Sequence, residues 1–491
     1  MHEGYLARKL GLGEANPRDI DISPEDYVDE QLSLPGGDLA LRSLERRSSR
    51  EVTPWPKELS FTLRERWIRE GRFNTLRNKL DAKKITGDEY KEKIQQYDNK
   101  FRFFEDLDRF RFAHSNVYSK NHVKNRLRIF WINHFTKGSN SNSGYGGDFE
   151  FSIIDHLNGS FRDLLYFSAT HVGLLHYLDN HLSISPKSRE ARACKIDGNE
   201  LCILGLNDNF ARELLELHTV SPNRNYTEAD IAETSKVLAG WGARDETDKR
   251  AALEEPWYPE RAHPGNKTVL GHKIKAGKSG LRQLTDLLAA DNETIAHLSE
   301  KMVRHFCGEP VDKGDVSSVI KVWQETDGDL NAIHREVLLR AAYKPDRKFL
   351  WPLIWAFQVI RMSGGHVLAG YEDSIQFSES KTGLRPEQSK LLPRTLYEEL
   401  GIDFWNQRTP DGFSDLKADW LSNEHIDRRV RLSSLVFAAR RNSATEKKLK
   451  NEEIMDAQRF SARTRNIASR FSSDAKNQFS FLMCSSEMME V

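Results

Sequence analysis

Cysteine is scarce: four residues, Cys194, Cys202, Cys307 and Cys484, in a chain of 491. That excludes the small, cystine-stapled scaffolds. Cys194 and Cys202 flank a short polar loop and could bridge in an oxidising compartment; two unrelated thiols is the favoured reading. No stretch approaches the ~20 consecutive apolar residues that a membrane-spanning helix needs. Net charge is absent as well. Lys+Arg and Asp+Glu both number 73, so no whole-molecule field draws in nucleic acid or an anionic membrane, and no nucleic-acid partner is expected. The opening residues, Met1 to Lys9, lack the apolar centre and cleavage-like site of an export signal. As written the protein is expected to be cytoplasmic, or periplasmic if the true start or a signal is missing. Several chemical signatures are missing too: Walker A spacing, a dinucleotide glycine fingerprint, a Gly-x-Ser-x-Gly elbow and a Cys-x-x-Cys pair.

What is there is helical pattern. Charged residues make up 30% and hydrophobic residues 38%, enough for a sizeable core under a strongly solvated surface. Residues 1–60 mix helical patterns with breakers (Pro17, Pro24, Pro35-Gly36-Gly37, Pro54-Trp55-Pro56) and read as an N-terminal arm around a helical body over 61–435. Apolar spacing predicts a long helical pair over 57–79 and 88–112. It then predicts helices over 116–137, with Leu127, Trp131 and His134 on one face, and over 161–181. Thr227 followed by Asp230 marks a helix start, and the segment from His263 to His272 reads as a turn with a short strand pair. Its Gly265, Lys267, Thr268 and Gly271 could bind phosphate, though a joining turn explains them equally well. Residues 436–491 read as a polar, partly disordered tail. The fold class expected is mainly α: a multi-helical single large domain with a small β-hairpin near 263–274.

The densest chemistry lies in Asn207-Asp208-Asn209-Phe210-Ala211-Arg212-Glu213-Leu214-Leu215-Glu216-Leu217-His218-Thr219. At a helical period, Phe210, Leu214 and Leu217 form an apolar stripe, and Asn209, Arg212, Glu213 and Glu216 fall on the other side. His218 faces the apolar flank. A helix that gives a Glu and a His to one metal usually spaces them three or four apart, so Glu213 with His218 is disfavoured. Arg212–Glu216 and Glu213–Glu216 do converge. One reading is a buried charge network that positions neighbouring helices. The other is a carboxylate pair for metal binding or acid–base work, since adjacent carboxylates push one pKa upward.

Histidines cluster in the middle third: His134, His171, His176, His181, His218, His263, His272 and His305. Each alone is more often a satisfied core residue than a ligand, and His134 is the clearest such case. The best local couple is His176 with Asp179, three apart on one helix face. The candidate catalytic residues are therefore Glu213, Glu216, Arg212 and Asp179. The candidate ligands of a divalent metal are Glu213, Glu216, His176 and Asp179.

With these residues laid out, the chain resembles a bacterial family, domain of unknown function 1800. Four stretches carry the resemblance: Phe130-Trp131-Ile132-Asn133-His134-Phe135; Tyr177-Leu178-Asp179-Asn180; the 207–219 segment; and Gly240-Trp241 after Tyr226-Thr227-Glu228-Ala229-Asp230. Lys267-Thr268-Val269-Leu270-Gly271, Lys301-Met302-Val303-Arg304-His305-Phe306 and Pro410-Asp411-Gly412-Phe413 are similar as well. The resemblance covers roughly 5–435 and implies a mostly helical single domain with no settled activity. Members are often encoded beside a sulfatase-like family, which implies a protein partner of that kind. The loop over 183–206 and the basic tail after Ala444 stand outside the family pattern. Two function classes stay open: a metal-dependent hydrolase or oxidoreductase with a carboxylate/His site between helices, and a non-catalytic binding or assembly protein.

Overall fold

Apolar residues draw the N-terminal arm inward. The computed structural model describes all residues except 15–16, 36–40, 43–51, 54–61, 138–144, 197–204, 223–225, 243–252, 346–347, 364–392, 405–406, 408 and 442–449. Helix α1 (Glu3–Leu10) buries Leu6, Ala7 and Leu10 completely. Helix α2 (Pro24–Ser33) starts at Ser23, whose hydroxyl accepts the Asp26 amide proton, with Pro24 at the first helical position. Strands β1 (Leu41–Arg42) and β2 (Val52–Thr53) form a short antiparallel pair. Pro54-Trp55-Pro56 lies outside the described residues.

The long pair expected from charge and apolar spacing is α3 (Leu63–Asp81) and α4 (Gly87–Tyr118), which lie side by side. Each opens with a reciprocal cap, Thr62 with Glu65 and Thr86 with Glu89. Such caps satisfy amides that the first turn leaves free.

Helix α5 (His122–His134) departs from the amphipathic reading, for all 13 of its residues are buried. Its polar side chains are held by carbonyls of the elements that enclose it. The Arg126 guanidinium bonds Lys9 O, the Lys124 ammonium bonds Leu34 O, and Asn125 donates to Ser115 O at 3.0 Å. These bonds let charged residues enter a core that would otherwise exclude them.

After α6 (Gly146–Ser152), the single helix predicted over 161–181 is broken twice. Helix α7 (Phe161–Thr170) ends where His171 turns extended, and the His171 ring accepts the Gly173 amide to start α8 (Val172–Tyr177). Asp179 then takes a left-handed φ of 58° before a 3₁₀ turn, Asn180–Leu182. Aspartate tolerates that conformation better than most residues. His176 and Asp179 consequently do not share a helix face.

Helices α9 (Arg189–Ile196), α10 (Asn209–Glu216) and α11 (Glu228–Leu238) follow, α11 opening on the expected Thr227–Asp230 cap. The expected hairpin forms from β3 (Lys267–Val269) and β4 (His272–Ile274). Its two-residue turn puts Leu270 at φ 49° and Gly271 at φ 77°, the hand that matches strand twist. The Lys267 ammonium is tied back to His263 O at 2.8 Å. Helices α12 (Ser279–Ala289), α13 (Asn292–Cys307), α14 (Lys313–Glu325) and α15 (Leu330–Tyr343) pack in sequence, and α16 (Pro352–Met362) is buried on every side.

The C-terminal segment differs from its polar reading. Helix Asn423–Arg441 packs on α16 and on helix Ala475–Met483, and helices also form over Asn451–Ala457, Ala462–Ser469 and Ser486–Met489. Phe479, Leu482, Met483 and Met488 are fully buried in the same core as Leu6. Each such side chain contributes about 1.5–3 kcal/mol. Sparse apolar residues placed at helical spacing are enough to anchor a segment whose average composition is polar. The fold is mainly α with small antiparallel strand pairs.

Candidate functional site

Helix α10 presents the polar stripe that its period demands. Phe210, Ala211, Leu214 and Leu215 are buried, while Arg212, Glu213 and Glu216 are half-buried. Arg212 works outward. Its guanidinium bonds Glu216 at 3.2 Å and grips both oxygens of Glu228, at 3.2 and 3.0 Å, clamping α10 to the start of α11. Burial first, and then the Glu216 carboxylate, push the nearby Tyr226 hydroxyl up to about 12. Glu213 has a different setting. Burial first, then the nearby charge of Glu216, with Asp411 adding to both against the pull of Arg212, pushes its carboxyl up to about 7.

Beyond the helix end the chain turns, with the amides of Leu217 and His218 both donating to Glu213 O at 3.0 Å. This turn carries the His218 ring inward, against Phe135 and Phe210. The ring is buried, and neither of its nitrogens has a hydrogen-bond partner among the described residues. Burial, with the Lys301 charge in support, pushes His218 down to about 3, so it stays neutral. A buried group left unsatisfied costs roughly 1–3 kcal/mol and calls for a reason.

The neighbouring His134 closes α5. Its Nε2 lies 3.2 Å from His218 O, and a carbonyl only accepts, so Nε2 carries the proton and donates it. Nδ1 is then the acceptor, and the Lys301 ammonium on α13 donates to it at 3.3 Å. Burial, then Lys301 and His218, keep this imidazole neutral. Lys301 is itself pushed down by burial, although Asp415 and Asp411 oppose the shift.

Asp411 reaches this group by a backbone device. Gly412 sits at φ 77°, and a Cβ there would lie 2.4 Å from Asn133 O. The turn therefore seats directly on the end of α5. Asn133 holds it with both ends of its amide, donating to Phe413 O at 3.0 Å and accepting from Phe413 N at 2.8 Å. The same loop continues to Asp415, whose carboxylate accepts from His305 Nδ1 at 2.8 Å and lies 3.8 Å from the Lys348 ammonium. Burial alone would raise Asp415; His305, Lys348 and Lys301 together hold it down at about 2.

Of the residues expected at the site, Glu213 and Glu216 are together on α10, and Arg212 joins them as a clamp. His176 and Asp179 are elsewhere in chemical terms. His176 stacks on His181 with ring centroids 4.0 Å apart, and burial lowers it to about 3 with His181 as the charge acting on it. Asp179 is exposed. Among the described residues, no group of three or more His, Cys, Asp or Glu side chains is placed to hold a metal ion. His134, His218, Lys301 and Asp411 are the additions. Each lay in a stretch that carried the family resemblance, but none had a spacing that marks chemistry. Cys194 is disulfide-bonded and Cys307 and Cys484 are free, which corrects the reading of Cys194 as an unrelated thiol; Cys202 lies outside the described residues.

The family resemblance therefore has a spatial counterpart: its stretches at 130–135, 207–219, 301–306 and 410–413 meet at one place. No curated protein and no solved structure matches the chain. One family model does, over residues 6–489, so the tail after Ala444 and the loop over 183–206 fall inside the matched region. The chain belongs to the family described as a protein of unknown function, DUF1800.

Proposed function

We propose that the protein is an enzyme that works by proton transfer between α10 and α13, with hydrolysis as the first reaction class to test. Glu213 is the acid–base carboxyl, Lys301 the amine, and His134 the relay held in one tautomer. One observation carries this reading: the Lys301 Nζ lies 3.3 Å from His134 Nδ1 in a setting whose burial lowers the amine, while burial and then Glu216 push the Glu213 carboxyl up to about 7. Pairs of groups whose pKa values are driven toward neutrality suit general acid–base work. The orphaned nitrogens of His218 add polar capacity for a substrate. A metal-dependent site built on Glu213, Glu216, His176 and Asp179 has less support, since α8 and its turn hold the last two in other surroundings. The disulfide at Cys194 favours an oxidising compartment over the cytoplasm.

The test is a panel of chromogenic esters, amides, phosphate esters, sulfate esters and glycosides, run on the full chain with and without chelator. Glu213→Gln and Lys301→Met should each lower any turnover by about 10²-fold or more with little change in melting temperature. Turnover that survives in both folded variants would overturn the assignment. Turnover abolished by chelator, with stoichiometric metal lost in Glu213→Ala, would favour the metal-dependent reading instead.

A further inference from the structure

We propose that Lys301 is a nucleophile whose Nζ, hydrogen-bonded to His134 Nδ1, adds to an aldehyde or ketone carbonyl and carries the substrate as an imine. This rests on the proton-transfer reading of the same site and adds a substrate class to it.

Three features of the geometry lead there. First, Lys301 is only partly exposed as a residue, and burial dominates the setting of its amine, which is removed from bulk water. Second, its polar neighbour at 3.3 Å is a neutral imidazole that accepts, not a carboxylate that would hold it as ammonium. With one N–H directed at His134, the lone pair of the free amine lies at another tetrahedral corner, available for attack. Burial favours that free amine, the form nucleophilic lysines need. Third, His218 has two unsatisfied nitrogens within the influence of Lys301 and makes edge contact with His134, at 5.9 Å between ring centroids. A bound polar substrate would give those nitrogens partners.

The step balances without a co-reactant. Nζ forms a bond to the carbonyl carbon, and the C=O π pair moves to oxygen. His134 Nδ1 takes the proton shed by nitrogen, and Glu213 in its protonated form supplies the oxygen. A second proton leaves nitrogen as the hydroxyl departs, so both amine protons leave with the carbonyl oxygen as water and C=N remains. Glu213 and His134 end in their starting states.

The experiment is reductive trapping on the full-length wild-type chain, with acetaldehyde and cyanoborohydride near neutral pH, read by peptide mass mapping. Lys321, whose side chain is 73% exposed, is the internal reference. Lys301 should be ethylated several-fold faster than Lys321, since burial leaves more of it as free amine near neutral pH. Glu213→Gln should slow trapping at Lys301 and leave Lys321 unchanged. Labelling at Lys301 no faster than at Lys321 overturns the proposal. If the chromogenic panel shows Glu213-dependent turnover while Lys301 is not trapped, the imine fails and the proton-transfer reading stands. If Lys301 is trapped selectively and the panel is silent, the imine is supported and hydrolysis is not.

Discussion

Lys301 and His305 stand one turn apart on α13, yet the two ends of that turn are built on opposite principles. At His305 the charges are paired: Asp415 accepts from the imidazole Nδ1 at 2.8 Å and sits 3.8 Å from Lys348, whose ammonium also bonds Arg304 O at 3.1 Å, although His305 Nε2 has no hydrogen-bond partner among the described residues. At Lys301 they are open: the amine meets a neutral ring, the next ring has no hydrogen-bond partner among the described residues, and the nearest acidic influences come from groups it does not bond. Buried charge that is matched makes structure. Buried polarity left unmatched costs stability and persists where something else uses it.

The comparison breaks most visibly at Asp415. Asp415→Ala leaves His305 and Lys348 buried without their carboxylate, and should cost about 3–5 kcal/mol in urea unfolding. A loss under about 1 kcal/mol would mean the closed cluster is not what holds this end of α13. His218→Phe sharpens the contrast from the open side. It removes both unsatisfied nitrogens while keeping a ring, so stability should change by no more than about 1 kcal/mol. His305→Phe, by the same measurement, should cost several times as much.

The two carboxyls also respond to pH with opposite sign. Asp415 is lowered from 3.8 to about 2, so its stabilisation is present above 3.8 and is lost as pH falls through about 2. Glu213 is raised from 4.5 to about 7, so the folded state holds its proton more tightly. Its favourable contribution is full below 4.5 and is lost as pH rises through about 7. Unfolding free energies measured from mildly acidic to mildly basic pH should fall across that window in the wild type and flatten in Glu213→Gln. An equal slope in both proteins would contradict the raised carboxyl. The smallest effect belongs to Arg212, whose partners are largely solvated. Arg212→Ala should cost under about 1 kcal/mol and leave Glu213 in place.

Much of this was legible in the linear chain. The polar stripe of α10 follows from its period, and Arg212 with Glu216 at i, i+4 forms as spacing requires. The Thr227–Asp230 cap and the hairpin after His263 follow from local chemistry. His176 with Asp179 failed because a cap at His171, whose ring accepts the Gly173 amide, and a left-handed Asp179 end the helix early, and the second break has no glycine or proline to announce it. His134 looked like a core histidine and is indeed enclosed by aromatic rings. Its role comes from what its two nitrogens face, and those partners lie 84 and 167 residues away.

The sequence by itself determined the helical class and the carboxylate stripe, because periodicity, caps and short-range pairs act within a few residues, and its motifs carried the family resemblance. Tertiary structure decided the surroundings of those groups. The same lysine–histidine vocabulary becomes a closed cluster at Lys348 and an open one at Lys301 because α5, α10, α13 and the Gly412 turn bring a carboxylate into bonding distance at one end and withhold it at the other. That choice depends on desolvation and on separations of a few ångströms between residues far apart in the chain, and no local pattern encodes it.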